Sequence, residues 1–520
     1  MDICSKLQLI EPQEGFYLLH TDNALIKLCF VTDEIVRIRA SFDKDLAEES
    51  YILLTTAWED RLDPLFAGER TRLTPVKAGL KETEDAVFFS TAEVTLRVDR
   101  DPLNFTLCDA DGNILYRALS GCPFVKDSNG RVIAYSEMKE DDCFYGFGEK
   151  AGLLNKNKKF LRERATDAMG YDPEYTDTLY KHVPFYLRLD RDTHKAVGVF
   201  YHNFYESVFN MGCEKSNYWH RYSYFQADGG DIDCFLIGGD TIPRIVDNYT
   251  MLTGRPCLLP KRALGYQASS MYYPELEKDC DDAIYDFVDT IRENDFPLDG
   301  FHLSSGYTSY NNKRCVFTWN TTRFKDPQKY LRTMKEQHAQ NVPNVKPGIL
   351  LCHPYFADFE RAGVFVQDSH DQDTYGVGRW WGGDGAFWDF TSPQARALWK
   401  KYLTDAIIDV GTDSVWNDNC EYDSLMDKDC RCNFDGKGGT IGQLKPLMST
   451  LMCKIGAEAV QEHDANARPY MVCRSGSAGI QHYAQTWCGD NATSWRTLQF
   501  NIPMILSMGL SGQPNDGADI

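Results

Sequence analysis

The stretch Asp413-Ser-Val-Trp-Asn-Asp-Asn-Cys-Glu421 sets a short apolar run, Ser414–Trp416, directly ahead of a cluster of polar residues. A helical pattern precedes it at Gln394–Ile408 and another follows at Leu444–Glu462. A strand of that length between helices is the unit of a parallel sheet with helical crossovers. The alternation extends both ways. Upstream, Leu264–Ala268 reads as a strand before a helix near Lys278–Glu293, Gly300–Leu303 as a strand before a helix over Gln328–Gln340, and Val345–Leu351 as a third strand. Downstream come a strand at Tyr470–Cys473 and a helix over Ser494–Leu506. So many units favour a (β/α)8 TIM barrel over an open sheet, running from residue 256 to 520. Only about seven units fit, and the final GLSGQPNDGADI reads as a strand opening into a glycine-rich loop with no helix after it. The barrel is therefore expected to lack its last unit.

Before residue 255 the texture differs. Short runs rich in β-branched and aromatic residues, such as Ala24–Phe30, Ile35–Ala40, Ala86–Val98 and Ala196–Tyr201, are punctuated by turn signals at Asp111-Gly and Asn129-Gly. Short strands in that rhythm imply an antiparallel β-sandwich over residues 1–255. A chain of 520 residues exceeds one hydrophobic core, which agrees with two domains. One segment stands out from the barrel pattern. Asp423–Gly439, with its charges, cysteines and glycines, reads as a solvated loop after a barrel strand, with an active-site lid as the alternative.

Composition narrows the function. Asp and Glu outnumber Lys and Arg by 76 to 55, a net charge of −21, and so acidic a surface repels nucleic-acid backbones and anionic lipid alike. No stretch reaches about 18 uncharged apolar residues, and Met1–His20 carries acids without an apolar signal core. Seventeen cysteines without a secretion signal read as reduced thiols of a cytoplasmic protein. The densest group, Cys420, Cys430 and Cys432, lacks the paired spacing of a zinc site, so neither metal nor cofactor is expected.

Barrel enzymes carry their chemistry at the C-terminal ends of strands. Two carboxylates fall there: Asp418, after Ser414–Trp416, and Asp490, after Ala484-Gln-Thr-Trp-Cys-Gly. Glycoside hydrolysis needs such a pair, one ionised to attack the anomeric carbon and one protonated to release the leaving oxygen. Trp487 and Trp495 are apolar neighbours that could desolvate Asp490. By position alone, either acid could equally be a helix N-cap.

Ordered motifs add to this. FYGFGEK (Phe144–Lys150), WWGGDGAFWDFTSPQARALW (Trp380–Trp399), SVWNDNCEYD (Ser414–Asp423) and RSGSAGIQHYAQTWCGDNATSW (Arg474–Trp495) occur in that order, with GADI at the end. Together they resemble glycoside hydrolase family 31, the α-glucosidase and α-xylosidase family, over nearly the whole chain. The resemblance implies a retaining α-glycosidase with Asp418 as nucleophile and Asp490 as general acid/base. It also implies carboxyl groups about 5–5.5 Å apart. Arg474 matches the arginine that contacts the sugar of subsite −1, Trp487 the tryptophan lining that subsite, and Asp389 a structural aspartate. Phe144–Lys150 is expected as a β-domain loop; its Gly146 and Gly148 lack the pattern of a phosphate cradle.

The departures bear on specificity. Where the family carries an aspartate-rich segment after the second barrel strand, this chain reads Leu303-Ser-Ser-Gly-Tyr-Thr308. Ser304 and Ser305 cannot supply the charge-assisted hydrogen bonds of an acid to a sugar hydroxyl. An N-acetylgalactosamine substrate, or glycosyl transfer from an α-glucan, then fits as well as glucose hydrolysis. Trp416, Tyr272 and His353 complete the expected sugar contacts, Tyr273 shares the rim with Tyr272, and packing is the competing role for each. The expected partner is an oligosaccharide or glycoside. A non-catalytic, truncated carbohydrate binder is the reading from a different class.

Overall fold

The computed structural model describes residues 1–519. They pack as two units, Met1–Pro256 with Ser477–His482 and residues 488–519, and Cys257–Gly476 with Tyr483–Trp487.

The first unit is built from antiparallel sheets of eight, six and five strands. Ala196–Tyr201 is a strand as read, and Ala24–Phe30 and Ile35–Ala40 correspond to the paired strands Leu25–Phe30 and Ile35–Ser41. The run Ala86–Val98 is a hairpin rather than one strand, Ala86–Ser90 with Val94–Arg100, because Thr91 caps the turn by accepting from Val94 N. Alternate residues such as Ile26, Leu28, Val36, Ile38, Leu96 and Val98 fill one continuous core. A buried ion cluster crosses the eight-stranded sheet. Arg37 grips Asp233 at 2.7 Å through both Nε and Nη2, pairs with Glu48, and lies 3.9 Å over the Trp58 ring.

The second unit is a curled half-barrel. Its parallel strands are Gln267–Ser270, Gly300–Leu303, Gln340–Val345, Ser414–Asn417, Tyr470–Cys473 and Gln485–Trp487, in that spatial order. Helices Cys280–Glu293, Pro327–Glu336, Pro393–Leu403 and Ile441–His463 stand between them in sequence. Asp326 and Ser392 cap two of these helices through their side chains, each just ahead of a proline at the helix start.

Two strand readings need correction. Leu264 belongs to a short 3-10 turn, and the first strand begins at Gln267. The third strand is Gln340–Val345, not Val345–Leu351, while Gly348–Leu350 pairs antiparallel with Gly383–Phe387 outside the barrel. Residues 340–345 read QNVPNV, and amides and a proline argue against a strand on propensity alone. Tertiary context overrides that preference: all six are buried.

The 423–439 segment is exposed at 426–429 and 436–438, as a solvated loop would be, but is tied to the body of the unit at its buried positions. Asp389, fully buried, accepts from Thr391 through Oδ1 and from Asn433 N through Oδ2 at 2.7 Å. Phe434 N and Asp435 N donate to Thr391, and Arg396 clamps Asp435. Leu425, Cys430, Cys432 and Phe434 are buried. Replacing Asp389 by Ala removes the acceptor of Thr391 N, Thr391 Oγ1 and Asn433 N, at a cost of about 1–3 kcal/mol for each that stays dry. In Asp389→Ala, limited proteolysis should cut within 423–439 faster than in the unaltered chain; equal cutting rates would mean that Asp389 does not pin the segment.

Candidate active site

Side chains alternate along a strand, so Trp416 and Asp418 share one face, as do Val472 and Arg474, and Val342, Asn344 and Lys346. Backbone hydrogen bonds prolong the ladder past the strand ends, from Asp418 N to Val345 O at 3.0 Å and from Arg474 N to Asn417 O at 3.1 Å. The carboxylate of Asp418 is therefore presented from paired backbone.

Its partners converge from neighbouring strands. Asn344 Nδ2 donates to Oδ2 at 3.0 Å, the Lys346 ammonium pairs with the same oxygen and with Asn419 Oδ1, and Arg474 Nε lies 3.4 Å from Oδ1. Asn419, in the left-handed region at φ 47°, donates its N–H to Oδ1 at 2.8 Å. Arg474 also binds Glu421 bidentately, at 2.9 and 2.7 Å. Burial would push the Asp418 carboxyl up, but Lys346 and Arg474 outweigh it and hold the group well below the usual carboxylate range. Lys346 itself is lowered by burial, against the pull of Asp418.

Around this centre Ser304 and Ser305 follow the 300–303 strand, both buried, and Ser304 Oγ has no protein partner. Trp416 meets Trp487 edge-on at 5.9 Å and His302 at 5.6 Å, and its indole N–H is likewise unpartnered. Burial depresses His302 to about 4, which leaves a neutral ring. Trp381 packs by Lys346 and Arg314, whose cations lie 5.2 and 3.7 Å from ring centroids. Tyr272 is 68% exposed on the turn after the first strand. His353 is buried, with one ring nitrogen 2.8 Å from Val316 O and the other accepting from Tyr355 N at 3.1 Å. The three clustered cysteines part: Cys420 lies beside Cys473, Sγ to Sγ 3.6 Å, whereas Cys430 and Cys432 belong to the 423–439 segment.

Asp490 belongs to the first unit. Gly489 has φ 65°, and a Cβ there would come within 2.0 Å of the Tyr180 ring, so both backbone and space require glycine. Asp490 N donates to Tyr180 Oη at 3.2 Å, Asp490 O accepts from Gly170 N at 2.8 Å, and Tyr171 Oη donates to Cys488 O at 2.9 Å. Tyr180 N is held in turn by Glu149 of the FYGFGEK motif, which also pairs with Lys181. Cys143–Gly146 is a strand of the eight-stranded sheet, and Gly148 N donates to Ser511 Oγ at 2.8 Å. Trp495 does not desolvate Asp490, being 87% exposed. A second carboxyl does face it: Asp519 is raised to about 6 by burial and by the charge of Asp490.

Sequence reasoning passed over Asn344 and Lys346, because the misplaced third strand hid its true end. It also passed over Tyr180 and Asp519. Lys346-Pro347 directly after a buried Val345 was the available signal for that strand end.

Two family models match the chain: the glycosyl hydrolases family 31 TIM-barrel domain over residues 256–520, and the glycosyl hydrolase 31 N-terminal galactose mutarotase-like domain over 25–210. The chain belongs to glycoside hydrolase family 31. Alpha-glucosidase 2 of Bacillus thermoamyloliquefaciens is 30% identical to this family 31 chain over 528 aligned residues, covering 98% of the chain and 61% of that protein. An alpha-glucosidase of Saccharolobus solfataricus is 25% identical, over 77% of the chain and 58% of its own length. The chain thus spans less than two thirds of these relatives. Among solved structures, a family 31 dextranase of Flavobacterium johnsoniae complexed with glucose superposes with TM-score 0.88 at 22% identity, over 100% of this chain and 61% of that one. That likeness is one of fold.

Gly489→Ala should destabilise the first unit by about 2–5 kcal/mol through left-handed strain and overpacking against Tyr180. Urea unfolding checks this through a double-mutant cycle: Gly489→Ala should cost less in a Tyr180→Ala background than in the original chain, because the clash is gone there. An equal cost in both backgrounds would show that the clash with Tyr180 is not the cause.

Proposed function

We propose that the chain carries the chemistry of a retaining α-glycosidase acting on terminal α-linked sugars, with Asp418 as nucleophile and Asp490 as general acid/base. The observation that carries this reading is Asp418: a buried carboxylate at a barrel strand end, kept anionic by Lys346 and Arg474. An anion deprived of water but fixed in direction is what attack on an anomeric carbon requires. The family membership and the two alpha-glucosidase relatives support the same reading. In the first half-reaction an Asp418 oxygen bonds the anomeric carbon as the glycosidic bond breaks, and Asp490 gives its proton to the leaving oxygen; in the second, Asp490 takes a proton from the water that releases the sugar.

Ser304, Trp416, Trp487, Arg474 and Ser305 make up the sugar-binding set of this proposal, and the unpartnered Ser304 Oγ and Trp416 Nε1 suit hydroxyl or acetamido recognition. Tyr272 contributes an outer wall. His353, whose nitrogens face backbone groups, contributes shape rather than a hydrogen bond. With serines in place of acids after the second strand, N-acetylgalactosamine stands beside glucose as the sugar to test. An intracellular location is part of the proposal, since all seventeen cysteines are free thiols. Among the described residues, no helix is long and apolar enough to cross a membrane.

The test is hydrolysis of p-nitrophenyl α-glycosides of glucose, xylose, galactose and N-acetylgalactosamine, by this chain and by a version extended to the length of its relatives. Asp418→Ala should lower kcat/KM by about 10³-fold or more on the accepted sugar. Asp490→Ala should lose about 10²–10⁴-fold on an alkyl glycoside and less on the aryl one, whose leaving group needs little protonation. Proton NMR should show the α-anomer as first product. Silence from both proteins on every sugar would sink the hydrolase reading in favour of a carbohydrate binder.

A further inference from the structure

Lys346 touches the proposed nucleophile most directly of the cations around it, yet takes no part in either half-reaction. It follows the 340–345 strand, is 4% exposed, and has its ammonium on Asp418 Oδ2 and Asn419 Oδ1, two consecutive side chains of one turn. The other cation works differently: Arg474 binds Glu421 bidentately and has its Nε 3.4 Å from Asp418 Oδ1. Asn344 Nδ2 also touches Oδ2 but is neutral. Trp381 lies against the ammonium, with Arg314 over the same indole and paired to Glu275. These groups complete the charged and polar surroundings of Lys346, and only Asp418 among them shares a direct ion pair with it.

We propose that Lys346 is the positioning residue of Asp418: its ammonium fixes the carboxylate in one orientation at the strand end and holds it as the anion. A compact point charge suits this task, because it binds one oxygen and leaves the other for chemistry, whereas a guanidinium fork would cover both. Oδ1, the oxygen that Lys346 does not bind, accepts from Asn419 N and lies 3.4 Å from Arg474 Nε. The inference rests on the reading of Asp418 as nucleophile, but the ion pair can be tested without turnover.

A buried pair broken on one side leaves an uncompensated charge, whereas removing both sides does not. Thermal unfolding of the chain at pH 7 should therefore give a Tm lower by roughly 3 °C or more for Lys346→Met and for Asp418→Asn, with the double variant more stable than either single. Additive losses, a Lys346→Met variant as stable as the original, or a double variant that does not fold would each overturn the proposal; folding of the double where Lys346→Met alone does not fold would support it. With an accepted glycoside, kcat/KM of the original chain should hold level as pH falls to about 4, since the depressed carboxyl stays ionised. Lys346→Met should bring an acid limb into the range above about pH 4 where the original chain is level, with Lys346→Arg staying level there. A level profile in Lys346→Met would reject the role of Lys346 even where Asp418→Ala confirms the nucleophile. Activity retained in Asp418→Ala would reject the nucleophile while leaving the ion pair to the unfolding cycle.

Discussion

A carboxylate taken out of water stays charged only if cations and donors replace its hydration, and the end of the half-barrel is organised around that constraint. Asp418 sits between two cations of unlike kind, a lysine committed to it and an arginine shared with Glu421. Glu421 has a structural role, since without it Arg474 would be a second buried cation facing one anion. The parallel ladder supplies the precision. Pairing of 340–345 with 414–417, and of 414–417 with 470–473, sets the spacing of Asn344, Asp418 and Arg474 before any side chain turns.

Asp490 solves a different problem. Its backbone is held on both sides, by Tyr180 Oη at the amide and by Gly170 N at the carbonyl, over a ring that only glycine can approach. Glu149, Lys181, Lys150 and Glu163 lie behind that ring as two buried ion pairs. The charged end of the FYGFGEK motif is thus part of a buttress, in which its Glu149 fixes the Tyr180 backbone and Glu163, paired with its Lys150, fixes that of Val183.

Much of this was legible in the sequence because it rests on periodicity. Ser414–Asn417, Gly300–Leu303 and Tyr470–Cys473 announce themselves as apolar runs between helical patterns, and Asp418 follows from the first. What escaped was written in polar residues. Gln340–Val345 carries two asparagines, a glutamine and a proline, so propensity pointed to Val345–Leu351, and with that strand displaced Asn344 and Lys346 were invisible as strand-end groups. Trp495 misled in the opposite direction: sequence proximity to Asp490 suggested an apolar wall, yet the first turn of its helix points the indole into solvent. Tyr180 is 310 positions from Asp490 and Asp519 lies beyond the intervening helix Trp495–Leu510, so their tie to it is set by topology, which one sequence does not state. The 423–439 segment looked solvated by composition, but Asp389 and Thr391 bind its backbone, an interaction that composition does not carry.

The first unit is discontinuous along the chain, and this limits how the protein can be divided. Tyr171, Leu179 and Tyr180 share an apolar cluster with Cys488 and Met504, residues more than three hundred positions later. A recombinant piece ending near residue 256 would expose those tyrosines and the strands around them, inviting aggregation during expression. Retaining 477–482 and 488–519 through a short linker in place of the half-barrel would keep that cluster intact, so the map of covalent order is a poor guide to where a soluble β-rich fragment begins and ends.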